Sequence, residues 1–466
     1  MSAGPPRKPR RASSNVRGTA HPKTDPARQA AVEVVLRTLE GAYLAPTLGA
    51  ALDDTGLQGA PRSFVTDLAY GSVRHLAFLD AALAPRLQDP RRLPPRVLVA
   101  LRLGAYELLI RGTPRHAAVH AWVDVVKAHA PGLAGLTNAV LRRLEPPAAA
   151  AQDEAVRFAL PAWLWSRLVR ALGNEAAARA AAGMLEPEPL WLTAFTANAR
   201  EQLRADGCEV GDGPVAAAGP GETGAPYATD DTDGKGDGRP DVPRSLRVRC
   251  PMPLDRVAAY RAGVVQPQNP ASLFAALLVG VRPGDAALDL AAGQGIKSAI
   301  LAAQGADVTA VEIDPRRSRA AEANLRRLGR TVRHVVADLL DPPPLEPAPR
   351  VLLDAPCSGS GTLRGHPEIK LRLDEQQVVR LAANQRAMLA RAADLVTPGG
   401  TLVYAVCSLT PDEGPEVVAD LLSRRDDMTP EPFDAPVASV AAGAGRFLLP
   451  VDGLDGFYLA RLRRQA

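Results

Sequence analysis

With 466 residues, 46% hydrophobic and 23% charged, the chain holds material for about three ordinary domains and a sizeable core, which excludes a disordered protein. Four cysteines at irregular spacing, with no Cys-x-x-Cys pair, argue against a disulfide framework or a zinc site and fit a reducing compartment. The formal net charge of +4 implies a polyanionic partner only if the excess is clustered; no apolar run reaches bilayer length and no signal peptide is visible, so a soluble cytoplasmic protein is expected.

Residues 1–24 are rich in Pro, Ser, Arg and Lys and read as a disordered basic tail, able to touch phosphates or simply solvated. Residues 25–146 read as an all-α bundle. Asp25 can cap a first helix with Pro26 at its opening position, and Val32, Val35, Leu36 and Leu39 follow at helical spacing. Four further amphipathic segments, separated by Pro and Gly, carry the bundle to about Leu144. Arg74, Arg102, Arg142 and Arg143 lie in these helices, where an arginine more often marks a solvated face than a nucleic-acid contact.

Residues 147–258 suggest a small α+β module. "PAWLWSRLVRALG" and "NEAAARAAAGML" read as helices, and "LWLTAFTA" and "SLRVRCP" as strands. Between the strands, residues 209–243 are dense in Gly, Pro and Asp and read as a flexible insertion. Its "DDTDGKGDG" faintly resembles a calcium loop but lacks the closing glutamate, so no metal is assigned.

From 259 to 466 the chain alternates short apolar strands, "AALDL", "DVTAVEI", "TVRHVVAD", "RVLLDAP" and "TLVYAVC", with helical stretches. That alternation predicts an α/β Rossmann-like parallel sheet covered on both faces, with ligands at the carboxyl ends of its strands. The first turn, Ala291, Ala292, Gly293, Gln294, Gly295, Ile296 and Lys297, lets backbone pass close to a ligand. Glu312 ends the second strand about 20 residues beyond Gly293, the offset at which a carboxylate reaches ribose hydroxyls. Asp338 ends the third, where it can face a base. Together these describe an adenosine site. The glycine spacing is not that of a P-loop, and the third glycine of a dinucleotide site is missing; S-adenosyl-L-methionine fits, because its amino-acid end brings no pyrophosphate to cradle.

Cys357 and Cys407, each followed by serine, close the fourth and fifth strands beside that site. The C5 of a pyrimidine is too weak a nucleophile to take a methyl group. A thiolate added to C6 turns the ring into an enamine that attacks through C5. One cysteine would add, Asp354 could protonate N3 as it does so, and the second cysteine could assist release.

"DAPCSGSGTLRGHPEIK" with "TLVYAVCS" resembles the RNA cytosine-C5 methyltransferases of the Sun/RsmB (Nol1/Nop2) family. The resemblance extends to "VEIDPRRSRAAEANLRRLG", to "PQNPASLFAALL", and to "YGSVRH" and "TNAVLRRL" of a NusB-like domain. It implies a class I S-adenosylmethionine methyltransferase domain preceded by an all-α NusB-like RNA-binding domain, with 16S ribosomal RNA as substrate. It further implies Cys407 as the nucleophile and Cys357 as the group promoting product release. Asp354 would contact the N3/N4 edge of the base and Lys297 would approach both Asp354 and the cofactor. Glu312 would hold the ribose and Asp338 the adenine edge.

Where the family reads close to AAPGGKT, this chain has "AAGQGIKS", so a rearranged but functional cofactor turn is expected, with β-branched Ile296 where backbone normally meets ligand. The family's "LRVN" strand is replaced by "LWLTAFTAN", which keeps at most Asn198. The target cytosine must leave its stack, so a loop or a transiently exposed base in free or assembling RNA is expected as substrate. No membrane or metal partner is implied, and a monomer is expected. The competing reading is a non-catalytic RNA-binding assembly factor with a degenerate cofactor turn.

Overall fold

The computed structural model describes residues 25–217, 227–228, 243–341 and 344–466. The basic tail, the calcium-loop-like stretch and most of the insertion lie outside the described residues.

In the first helix, Pro26–Leu39, the Asp25 carboxyl accepts from the N–H groups of Ala27 and Arg28, with Pro26 in the first turn. Helices Gly59–Arg74, Pro95–Leu109, Arg115–His129 and Ala134–Arg142 surround a core that includes Val35, Leu68, Leu101, Trp122 and Leu141. Glu107 is buried inside this bundle, where it accepts from Arg28 and from the Trp122 indole. A buried carboxylate is tolerable when so paired. Among the described residues no helix is long and apolar enough to cross a membrane.

A five-stranded antiparallel sheet follows, made of β1 (Leu190–Ala194), β2 (Glu209–Ala217), β3 (Tyr227–Ala228), β4 (Arg244–Arg249) and β5 (Val265–Pro267), in the order β3-β2-β4-β1-β5. Two expectations are corrected here. First, the start of the 209–243 insertion is strand β2, not a flexible loop. Its "PVAA" end is apolar, Val215 and Ala217 join a core with Phe274 and Leu277, and Ser245 Oγ bonds both the N–H and the C=O of Val215 across an irregular register. Burial outweighs the low strand propensity of the local Gly and Pro.

Second, Cys208 and Cys250 form a disulfide. Cys208 precedes β2 and Cys250 follows β4, and the pairing of Glu209 with Arg249 brings the flanking cysteines opposite each other. The bond closes a sequence separation of 42 residues. A loop of that length is worth at most about 4 kcal/mol in the chain-entropy account. Thermal unfolding with and without reductant should show a midpoint lowered by several degrees on reduction; an unchanged midpoint would mean the pair contributes no constraint.

The core clusters cut across the expected 147–258 grouping. Helices Ala162–Leu172 and Asn174–Met184 place Leu164, Leu168 and Met184 in one core with Leu353 and Tyr404, while β5 pairs with β1.

The larger sheet contains β6 (Ala286–Asp289), β7 (Asp307–Glu312), β8 (Arg333–Val336), β9 (Ala348–Asp354), β10 (Val396–Val406), β11 (Met428–Pro430), β12 (Ser439–Ala442), β13 (Gly445–Leu448) and β14 (Phe457–Arg464). Its order is β12-β13-β14-β10-β9-β6-β7-β8, with β11 also on β14. Strands β6 to β10 are mutually parallel, as expected, but β11 to β14 add an antiparallel edge. The β12–β13 connection is a tight turn at Gly443, too short for the crossover that parallel pairing requires. The chain runs outward through β6, β7 and β8 and then jumps back to β9 on the other side of β6. That reversal creates a crevice at the carboxyl ends of β6 and β9, the usual ligand position in such sheets.

The helical domain grips the segment that follows Cys357. Arg74 is buried and donates to the Arg364 carbonyl at 2.8 Å, so it is not on a solvated face. Lys370 Nζ donates to the carbonyls of Arg74 and Ala159, and Leu44 N–H donates to Glu368. Burial, with Arg74 nearby, pushes the Lys370 ammonium down to about 7. Arg102 pairs with Asp80, while Arg142 and Arg143 are exposed.

Candidate active site

The crevice is built from five strand ends. Beyond β6, Gly293 and Gly295 have φ of 57° and 71°, left-handed values that favour glycine. They serve different ends. A Cβ on Gly293 would meet nothing within 4 Å, so this turn faces open space; one on Gly295 would lie 3.0 Å from Ala321 Cβ on the helix Pro315–Arg327. Gln294 is exposed, Ala291 and Ala292 are half-buried, and half-buried Ile296 opens the next helix, its carbonyl accepting from Gln266.

Glu312, at the end of β7, accepts from the Gly293 N–H at 2.8 Å and from the Asp314 N–H at 2.9 Å, so its carboxylate borders the glycine turn. Asp338 is exposed two residues beyond β8 and caps a turn through the Leu340 N–H. Around it, Ile313 and Leu340 are 62% and 45% exposed. Asp289 is buried; its Oδ2 accepts from Ser298 and its Oδ1 has no hydrogen-bond partner. Burial raises this carboxyl to about 6 against the pull of the Ser298 bond.

These features fit S-adenosylmethionine: an open turn without side chains, a carboxylate beside it, exposed apolar side chains where a flat ring would lie, and an unpartnered buried acceptor where a cationic amino group would bond. Glu312 would hold the ribose, Asp338 with Ile313 and Leu340 the adenine, and the turn with Asp289 the amino-acid end.

At the end of β9, Asp354 Oδ2 lies 2.5 Å from Lys297 Nζ. Burial alone would lower the Lys297 ammonium, but the adjoining Asp354, with Asp289 and Cys407 nearby, more than reverses this and raises it. Lys297 Nζ also sits 5.6 Å from the centre of the Phe457 ring. Cys357 lies three residues past β9 and Cys407 one past β10, and these adjacent parallel strands bring their Sγ atoms to 3.3 Å. The bond to Cys407 and burial push the Cys357 thiol well above its ordinary value.

Sequence reasoning missed the group that fixes this arrangement. Glu413 is fully buried and accepts from Ser358 N–H (2.8 Å), Ser358 Oγ (2.5 Å), Ser408 Oγ (2.6 Å), Thr410 Oγ1 (3.1 Å) and Gln385 Nε2 (3.1 Å). Gln385 also donates to the Pro356 carbonyl. The serine after each cysteine thus binds one shared carboxylate, and that repeated Cys-Ser pair was the available signal. Phe457 and Asp455 were also missed.

The family model described as 16S rRNA methyltransferase RsmB/F matches residues 276–463, and the NusB family model matches residues 25–146. Over 437 residues, 94% of this chain and 97% of the relative, the sequence is 41% identical to ribosomal RNA small subunit methyltransferase B of Thermus thermophilus. The protein of the same name from Pseudomonas syringae is 32% identical, with 93% and 96% of the two chains covered. The crystal structure of PH0851 has the same fold at a TM-score of 0.74 and 21% identity, covering 94% of this chain and 98% of that one. NSun6 from Pyrococcus horikoshii, solved with SFG, matches at 0.53 and 20% identity over 66% and 98%. The chain therefore belongs to the 16S rRNA methyltransferase RsmB/F family, using S-adenosylmethionine as cofactor and carrying a NusB-family domain ahead of the catalytic one.

Proposed function

We propose that the protein methylates C5 of one cytosine in 16S rRNA through a covalent bond between Cys407 and C6. The observation that carries this reading is the 3.3 Å approach of Cys357 and Cys407 beside the Lys297–Asp354 pair. One thiol alone would be ordinary core filling; two facing each other at the mouth of a cofactor crevice are suited to adding to a base and leaving it. Cys407 Sγ, as the thiolate, forms the bond to C6 of an extruded base. Asp354, steadied by Lys297, meets the N3/N4 edge. Once C5 carries the methyl group, its hydrogen leaves as a proton to water and the C5=C6 bond re-forms, while Cys357, held as a neutral thiol, passes its own proton to the Cys407 sulfur as the S–C6 bond breaks. S-adenosylmethionine, when bound, supplies the activated methyl group. The NusB-family domain and the basic tail orient the RNA through phosphates, which needs no sequence reading. A monomer acting in the cytoplasm, on free RNA or an early assembly particle, accords with this chemistry.

The test is transfer of a labelled methyl group from S-adenosylmethionine to 16S rRNA, followed by bisulfite sequencing. One newly protected cytosine is expected. Label on another base, or on an atom other than C5, would refute the assignment.

A further inference from the structure

The segment 453–457 leads into β14 and docks on both cysteine loops. Gly456 N–H donates to the Gly361 carbonyl at 2.8 Å, and Gly361 N–H donates to the Cys407 carbonyl at 3.0 Å. A Cβ on Gly361 would lie 2.0 Å from the Gly456 oxygen, so no side chain separates the two segments. From the other side, Asp455 N–H donates to Asn269 Oδ1 at 3.1 Å, and Phe457 faces Lys297. Asp455 is thereby fixed one residue from a backbone chain that ends at Cys407.

One oxygen of its carboxyl, Oδ1, is buried and accepts no hydrogen bond. A buried oxygen without a partner is completed by a water or an ion, or reserved for a catalytic role. The charged groups facing it are Glu188, Arg364 and Lys297; burial first, then Glu188, raise the carboxyl to about 8, with Arg364 and Lys297 pulling the other way. At neutral pH it carries a proton and offers one donor beside one acceptor. Cytosine presents an acceptor for that donor at N3. Asp354, whose Oδ2 is already engaged by the Lys297 ammonium, is left to meet the C4 amino group.

Building on the function proposed above, we propose that Asp455 is the acid that protonates N3 of the target cytosine as Cys407 adds to C6. In this step the S–C6 bond forms and the C5=C6 electron pair moves to C4–C5. The N3=C4 pair takes the proton, and the Asp455 O–H bond breaks to leave a carboxylate. When the S–C6 bond breaks, N3 returns the proton. Uracil, with a donor at N3, opposes the donor of the acid and is rejected.

The experiment follows covalent adduct formation between an RNA carrying the target cytosine and full-length enzyme in a Cys357→Ala background, with Asp455 or Asp455→Asn, across pH. Asparagine can hydrogen-bond but cannot deliver a proton. The expected result is about 100-fold slower adduct formation with Asp455→Asn, with RNA and S-adenosylmethionine affinities within about twofold. The Asp455 enzyme should lose rate as pH rises from about 7 to about 9, because the competent acid is the form present below its pKa, and this limb should vanish in the variant. Adduct formation at equal rates, or an identical alkaline limb in both proteins, would overturn the proposal. Should Asp455→Asn fail to fold, absence of any alkaline loss in the Asp455 enzyme overturns it. No methyl transfer by the unaltered enzyme would remove the function itself; normal transfer together with a normal Asp455→Asn variant removes only this role.

Discussion

Replacing Cys407 by alanine will lower methyl transfer to rRNA by at least ~10³-fold, whereas replacing Cys357 by alanine will trap the protein on its substrate. The asymmetry follows from the environments of the two thiols. Cys357 is held protonated by its bond to Cys407 and by burial, which suits a proton donor and not a nucleophile. Without it the sulfur of Cys407 still adds, but has no neighbouring proton at 3.3 Å to help it leave. A denaturing gel of enzyme, RNA and S-adenosylmethionine reads this directly as a slow-migrating band for Cys357→Ala that is absent for Cys407→Ala and for the double variant. A band from Cys407→Ala and none from Cys357→Ala would exchange the two roles.

Glu413→Ala is expected to destabilise the catalytic domain by about 3–5 kcal/mol. Five donors converge on this carboxylate from three segments, and alanine leaves them buried and unpaired together. Glu413→Gln should cost about 1–2 kcal/mol, because the amide keeps one acceptor and the three hydroxyls can rotate to accept from its NH₂ group. Denaturant unfolding measures both. Methyl transfer should fall in parallel even where the protein stays folded, since the loops carrying both sulfurs are tied through Ser358 and Ser408. An unfolding midpoint unchanged by alanine would show that the loops hold themselves.

The strand ends were legible in the sequence because parallel strands buried on both faces leave short apolar runs, and the residue after each run must sit at the crevice. Glu312, Asp354, Cys357 and Cys407 all arrived there for that reason. The cap at Asp25 was legible because it depends on its immediate neighbours alone. Partnerships between distant segments were hidden. The Cys208–Cys250 bond depends on β2 lying beside β4, and β2 itself looked like loop because its Gly and Pro masked its four apolar residues. Arg74 has no local signal of burial in its own helix, yet it is buried and donates to the Arg364 carbonyl of a segment 290 residues away. Glu413, within "TPDEGP", reads as a turn residue until two serines from separate strands point at it.

The grip of the helical bundle on residues 364–372 makes the amino-terminal half more than a detachable adaptor for nucleic acid. Without the bundle Lys370 would lose the Arg74 carbonyl and Glu368 its Leu44 donor, and the strip they anchor begins only seven residues after Cys357. RNA seated on the bundle would thus bear on a strip of chain that leads directly to the cysteine loop, a mechanical linkage through which correct docking of the substrate would reach the reaction.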